Sequence, residues 1–179
     1  AAPKPGAWRW REDATYLVTG GLGGAGLTLA RWMVERGARH LVLVGRTGLP
    51  DRSDWEKLST SDPAARKVAS LRAIEEHGAR VRVLQADVAN EERMKAVLGE
   101  IQDGPPRRGV FHAAGVASLR PFQELDRASL DEVLRPKVAG AWNLHRLTRD
   151  VGLDCFVCFS SISSVLGSGH LAHYAAANQ

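Results

Sequence analysis

Tyr174 and Asn178 stand four residues apart in HYAAANQ, at the carboxyl end of the sequence. Residues i and i+4 share one face of a helix, so the pair is presented together. A free phenol titrates at about pH 10. It becomes a usable proton donor near neutral pH only where a nearby cation favours its phenolate. A lysine at the second position would supply that charge from one helical turn away. Here the position holds an amide, so any cation must come from another segment. Ser160, Ser161, Ser163 and Ser164, in FSSISS, offer hydroxyls that could hold an oxygen developing negative charge. Ser161 lies thirteen residues before Tyr174, at the end of an apolar run.

A second constellation suits an anion. TGGLGGAG, running through Thr19, Gly20, Gly21, Leu22, Gly23, Gly24 and Gly26, follows an apolar run and precedes a helical pattern. Gly20, Gly24 and Gly26 fit T-G-x-x-x-G-x-G. Glycines there let backbone approach a pyrophosphate, which the free N–H groups of the next helix can hold. In that strand–turn–helix setting the motif reads as a dinucleotide site. The second apolar run ends in Gly45, Arg46 and Thr47, with no acid before Asp51. An acid would bond the ribose 2′-OH of NAD, whereas an arginine can pair with a 2′-phosphate. NADPH is therefore the expected cofactor. Asp87, followed by Val88, could accept from an adenine amino group or cap the next helix. HAAG ends in Ala113, Ala114 and Gly115, small enough for backbone to lie against the dinucleotide, and His112 reads as a packing residue.

These residues need a scaffold that gathers loops at one edge. Near-continuous apolar runs at Thr15–Gly21, His40–Gly45, Val81–Val88, Gly109–Gly115 and Asp154–Ser161 predict strands buried on both faces of a parallel sheet. Helical patterns fall between them: Leu27–Arg36 before Gly37, Ala64–His77 before Gly78, Glu91–Ile101, and Leu130–Val151 with a break near Pro136. Alternating strands and helices imply a Rossmann-like α/β fold, a doubly wound parallel sheet with right-handed crossovers. Thr47–Pro63 is long for a connection and predicts a surface loop with a short helical turn. Residues 1–14 open on Ala-Ala-Pro-Lys-Pro-Gly and read as a linker end, leaving 15–179 as the cofactor-binding domain.

At 179 residues and 44% hydrophobic, the chain can bury one substantial core. No stretch approaches the length of a membrane helix and no signal peptide is visible. The net charge of +4 is spread among acids rather than set in a stripe, which argues against nucleic acid. Cys155 and Cys158 form a C-x-x-C. On a strand, i and i+3 point to opposite faces, so the pair reads as two buried thiols on a core strand, not a redox or metal motif. Reduced cysteines and no leader suggest the cytoplasm.

With these residues laid out, the sequence resembles the ketoreductase domain of modular polyketide synthases, a branch of the short-chain dehydrogenases/reductases. The pieces that carry the resemblance are YLVTGGLGGAG, ARHLVLVGRTG, ADV, FHAAGV, PKVAGAWNL, FSSISSVLGS and YAAAN, in order from about Tyr16 to Asn178. The resemblance implies NADPH-dependent reduction of a β-ketoacyl thioester carried on the phosphopantetheine arm of an acyl carrier protein, beside other domains of a synthase. It implies a catalytic set of Ser161, Tyr174, Lys137 and Asn178, with Lys137 and Tyr174 also meeting the cofactor. Lys137, in RPKVAGAWNL, would supply the cation missing after Tyr174. The family continues beyond YAAAN, so the resemblance also implies a domain that lacks its C-terminal part. Neither fingerprint that accompanies a hydroxyl configuration in the family is present: ASLRPFQELD lacks the L-D-D triplet, and Leu166 stands where a tryptophan would. Two rival readings are a non-catalytic dinucleotide-binding scaffold and a reductase acting on a free small molecule.

Overall fold

The computed structural model describes residues 10–167 and 169–179; residues 1–9 of the expected linker lie outside them. Five strands form one parallel sheet: β1 (Thr15–Thr19), β2 (His40–Gly45), β3 (Arg80–Gln85), β4 (Arg107–His112) and β5 (Cys155–Cys158). They lie in the order β3-β2-β1-β4-β5. The chain winds outward from β1 through β2 to β3, then returns to start again at β4. The carboxyl ends of β1 and β4 therefore flank the point where strand order reverses, and a ligand crevice forms there in open sheets.

Period-two alternation divides the sheet between two cores. Tyr16, Val18, Leu41, Leu43 and Phe111 face α1 (Gly24–Glu35) and α2 (Pro63–Glu76), which bring Met33, Leu71 and Ile74. Leu17, Val42, Val44 and Val110 face α3 (Glu91–Glu100) and α5 (Gly140–Thr148), which bring Met94, Val97 and Leu144. Burying both faces is what makes β1, β2 and the end of β4 read as apolar runs, whereas β3, expected to be buried likewise, lies at the sheet edge and keeps Arg80, Arg82 and Gln85 exposed. Trp10, 7% exposed, packs edge-on to Tyr16 and Trp32. Trp10 and Ala14 thus belong to the first core, while Arg11, Glu12 and Asp13 between them are exposed.

α1 ends on Gly37 (φ +107) and α2 on Gly78 (φ +84), both left-handed as a C-cap glycine should be. Asn90 caps α3 through Arg93 N–H. Thr47–Pro63 contains a short 3-10 helix at Arg52–Lys57. The long helical pattern after β4 divides. α4 (Arg127–Leu134) starts three residues earlier than expected because Asp126 and Ser129 form a capping box. A π turn at Arg135–Ala139 then leads into α5. Pro136 has no N–H to donate to the preceding turn, and Gly140 N–H closes a wider ring on Arg135 O. Two short helices, α6 (Ser163–Leu166) and α7 (Ala172–Ala177), end the described chain.

β5 departs from expectation. It pairs only with β4 and is an edge strand, with Phe156 37% and Val157 38% exposed. The two thiols are accordingly not both buried: Cys155 is half-buried, Cys158 is exposed, and both are free.

Candidate functional site

The crevice at the strand-order switch holds a cavity of about 270 Å³. Its wall comes from the ends of four strands: Thr19, Gly20, Leu22 and Gly23 after β1; Gly45, Arg46 and Thr47 after β2; Asp87 and Val88 after β3; Ala113, Ala114 and Gly115 after β4. All twelve were expected from sequence. Among the other expected cofactor contacts, Gly21, Gly24, Gly26, Lys137 and Tyr174 do not line it. Val44, Lys67, Ala86, Val116 and Pro136 line it and were not expected.

The glycines separate by task. Gly20 has φ +68, and a Cβ there would sit 2.7 Å from Ala113 O. A Cβ on Gly26 would lie 2.3 Å from Gly20 O, and one on Gly21 would lie 2.6 Å from Leu43 Cβ. These three let the turn fold onto itself, onto β2 and onto β4. A Cβ on Gly24, the first residue of α1, meets nothing within 4 Å. The turn therefore leaves open room in front of a helix N-terminus, the geometry that suits a pyrophosphate. The Arg46 guanidinium is exposed and has no ion-pair partner among the described residues, so it is available to a further phosphate. Asp87 accepts from Ala89 N–H at 2.9 Å rather than capping α3, and its other oxygen lies 3.9 Å from Arg135.

Lys137 lies behind that cavity, on the π turn. Gly140 allows the close approach: a Cβ there would meet Val88 at 2.7 Å and His112 at 3.2 Å. Lys137 is 9% exposed, and its ammonium donates to Phe159 O at 2.6 Å. Its aliphatic stem runs under Gly115, where a Cβ would come within 2.7 Å of Lys137 Cε. Burial lowers its pKa, with a smaller opposing effect from Cys158. No carboxylate pairs with it among the described residues. His112 is 1% exposed, bonds Thr19 Oγ1 through Nδ1 at 2.7 Å, and is kept neutral by burial and by the Lys137 charge. It is a packing residue, as expected.

Lys137 and Asn178 line one further cavity, of about 550 Å³, with His112 and Ser160. Asn178 caps α7, and its Nδ2 donates to Tyr174 O at 2.8 Å. Its Oδ1 is buried and makes no hydrogen bond among the described residues. Tyr174 is half-buried, and its hydroxyl makes no hydrogen bond among the described residues, with Lys137 or otherwise. The four serines differ. Ser160 Oγ donates to Asn178 O at 2.6 Å, and Ser164 Oγ donates to Ser161 O at 2.7 Å. Among the described residues Ser161 Oγ only accepts, from Ser163 N–H at 3.2 Å, which leaves its proton undonated there. The loop after β4 is pinned to this region. Ser118 Oγ meets His173 Nε2 at 3.0 Å, and Arg120 N–H donates to His170 O at 2.8 Å.

The profile of the KR domain family matches residues 14–179. The chain belongs to the ketoreductase domain family of the short-chain dehydrogenase/reductase superfamily. This ketoreductase domain is 46% identical to a 5-methyl-1-naphthoate synthase of Streptomyces sahachiroi over 94% of its own length and 9% of that protein. It is 43% identical to a 6-methylsalicylic acid synthase of Arthrobotrys oligospora, again over 93% of this chain and 9% of the other. The chain thus spans about a tenth of the curated relatives it matches. Among solved structures, a ketoreductase domain from the bacillaene assembly line superposes with TM-score 0.83 at 34% identity, covering 96% of this chain and 38% of that one. An A1-type ketoreductase gives TM-score 0.80 at 41% identity, covering 99% and 35%. Membership implies an oxidoreductase with a nicotinamide dinucleotide cofactor. The glycine turn fits such a group: Gly20 and Gly23 line the cavity, so backbone rather than side chain faces it there. No helix among the described residues is long and apolar enough to cross a membrane.

Proposed function

We propose that this ketoreductase domain uses NADPH to reduce a β-ketoacyl thioester to the β-hydroxyacyl thioester. The acyl chain is carried on the phosphopantetheine arm of an acyl carrier protein, within a multidomain polyketide synthase of the cytoplasm. The relatives named above are synthases many times longer than this chain, which supports a tethered substrate and neighbouring domains. Residues 15–179 form the cofactor-binding and catalytic part.

The observation that carries the proposal is Lys137: a lysine almost wholly out of water, with no carboxylate partner among the described residues. Burying an unpaired cation is costly, and such groups cluster where chemistry needs them. Lys137 lines one cavity with Asn178, whose amide holds the backbone of the helix that carries Tyr174, which supports its assignment to the same site.

The roles then follow from the bonds each group has left to make. Bound NADPH would supply the hydride to the β-carbon. Tyr174 gives its proton to the carbonyl oxygen as that oxygen becomes an alkoxide. Ser161, its hydroxyl proton undonated, holds the same oxygen. Arg46 takes the 2′-phosphate. Asn178 holds the last turn of α7 through Tyr174 O, and its buried Oδ1 makes no hydrogen bond among the described residues. Tyr174→Phe should lower turnover by roughly two to four orders of magnitude, the usual contribution of a general acid, while NADPH binding stays as in the parent. Undiminished turnover would refute the assignment.

A further inference from the structure

Lys67 lines the dinucleotide cavity together with Arg46, though 21 residues and the whole Thr47–Pro63 loop separate them in sequence. It sits on the second turn of α2, a 14-residue helix anchored by Asp62 at its N-cap and by Val68, Leu71 and Ile74 in the core. The anchor fixes which side of the helix Lys67 occupies. The positions that could neutralise it from its own helix are Pro63, Ala64, Ser70 and Leu71, none of them acidic. No ion pair to Lys67 exists among the described residues. It is half-buried and not fully solvated.

Two unpaired cations therefore share this cavity. Its one acidic lining residue, Asp87, is already engaged by Ala89 N–H and Arg135. The wall near Arg46 carries two cations with no ion-pair partner among the described residues. A dianionic phosphate monoester, with three acceptor oxygens, fits that imbalance better than a ribose hydroxyl does. The two cations also differ in kind. Arg46 offers a planar fork from an exposed strand end, while Lys67 offers a point charge from a rigid helix.

We infer that Lys67 is a second specificity determinant, forming with Arg46 a two-cation clamp for the 2′-phosphate of NADPH. This rests on the NADPH reading above and adds a residue to it. Lys67 has no part in the chemistry at the nicotinamide end, so its contribution is to cofactor choice and not to proton transfer.

The test measures dissociation constants of NADPH, NADH and 2′,5′-ADP for the full chain, with Lys67→Met, Lys67→Arg and Arg46→Gln. The methionine keeps the apolar stem and removes the charge. Lys67→Met is expected to weaken NADPH and 2′,5′-ADP on the order of tenfold at moderate salt, less at high salt, and to leave NADH unchanged. Lys67→Arg should restore most of the loss. If the parent prefers NADPH and Lys67→Met keeps that preference, the clamp is overturned while Arg46→Gln still reports on the NADPH reading. If Lys67→Met weakens NADPH and NADH equally, Lys67 is structural and the inference fails. A parent chain that binds NADH as tightly as NADPH overturns the NADPH reading and the clamp together.

Discussion

Gly26→Ala isolates the geometry on which cofactor binding depends. The added methyl would sit 2.3 Å from Gly20 O and 2.7 Å from Gly21 Cα. Ordinary carbon–oxygen contact begins at about 3.3 Å, so the turn must open by on the order of 1 Å. Both obstacles are backbone, and no side-chain rotation relieves them. Overpacking of this kind costs about 1–3 kcal/mol, and the upper end applies where nothing soft can yield. With a urea m-value of about 1–3 kcal/mol per molar, the unfolding midpoint should fall by roughly 1 M or more. Gly24→Ala is the matched control. Its methyl meets nothing within 4 Å and lies in the first turn of α1. Alanine is the better helix former by up to about 1 kcal/mol. That variant should therefore fold as well as the parent or better, since its methyl meets no neighbour. Urea titrations followed by circular dichroism check both outcomes. A Gly26→Ala midpoint within a few tenths of a molar of the parent would refute the packing argument.

Burial depresses the Lys137 pKa. Between that lowered value and the ordinary lysine value, the unfolded chain holds more protons than the folded one, so this group makes stability rise with pH across that window. Below that window the buried charge costs a constant amount. Lys137→Met should remove that rise, leaving a flatter dependence of unfolding free energy on pH from neutral upward; parallel curves would mean the ammonium is not desolvated. Cys155 and Cys158 lie three residues apart on β5, a span of about 10 Å in an extended strand, beyond disulfide reach. Mild oxidation should therefore yield no intrachain bridge by mass spectrometry, and a loss of two hydrogens within one chain would contradict the strand register.

Much of this arrangement can be read from the residues, and the misreadings have physical causes. β2 ends at Gly45 as its apolar run does, but β1, β3, β4 and β5 stop two or three residues before theirs. Gly20, Ala86, Val88 and residues 113–115 are apolar or small and leave the sheet to line the crevice, and hydrophobicity alone cannot distinguish a strand from its ligand-facing extension. Pro136 announced a break, but a π turn that rotates Lys137 inward needs Gly140 to approach Val88 and His112. That contact lies far away in sequence. β5 looked like an inner strand because Phe156, Val157 and Phe159 are apolar, though it is paired on one side only. Trp10 follows a run that reads as linker, and its burial depends on Tyr16, Trp32 and Phe111 meeting in three dimensions. Lys67 was silent in sequence because its relation to Arg46 exists only once α2 is docked. Its one clue was the lack of any acid at helical spacing.

The most direct measurement follows the label from NADPH deuterated at the transferable position of its nicotinamide into product, using the full chain and a short β-ketoacyl thioester. The account predicts a β-hydroxyacyl thioester carrying one deuterium at the β-carbon with the parent chain, and little product with Tyr174→Phe or Lys137→Met under the same conditions. Unlabelled product, or equal labelled product from the parent and both variants, would contradict it.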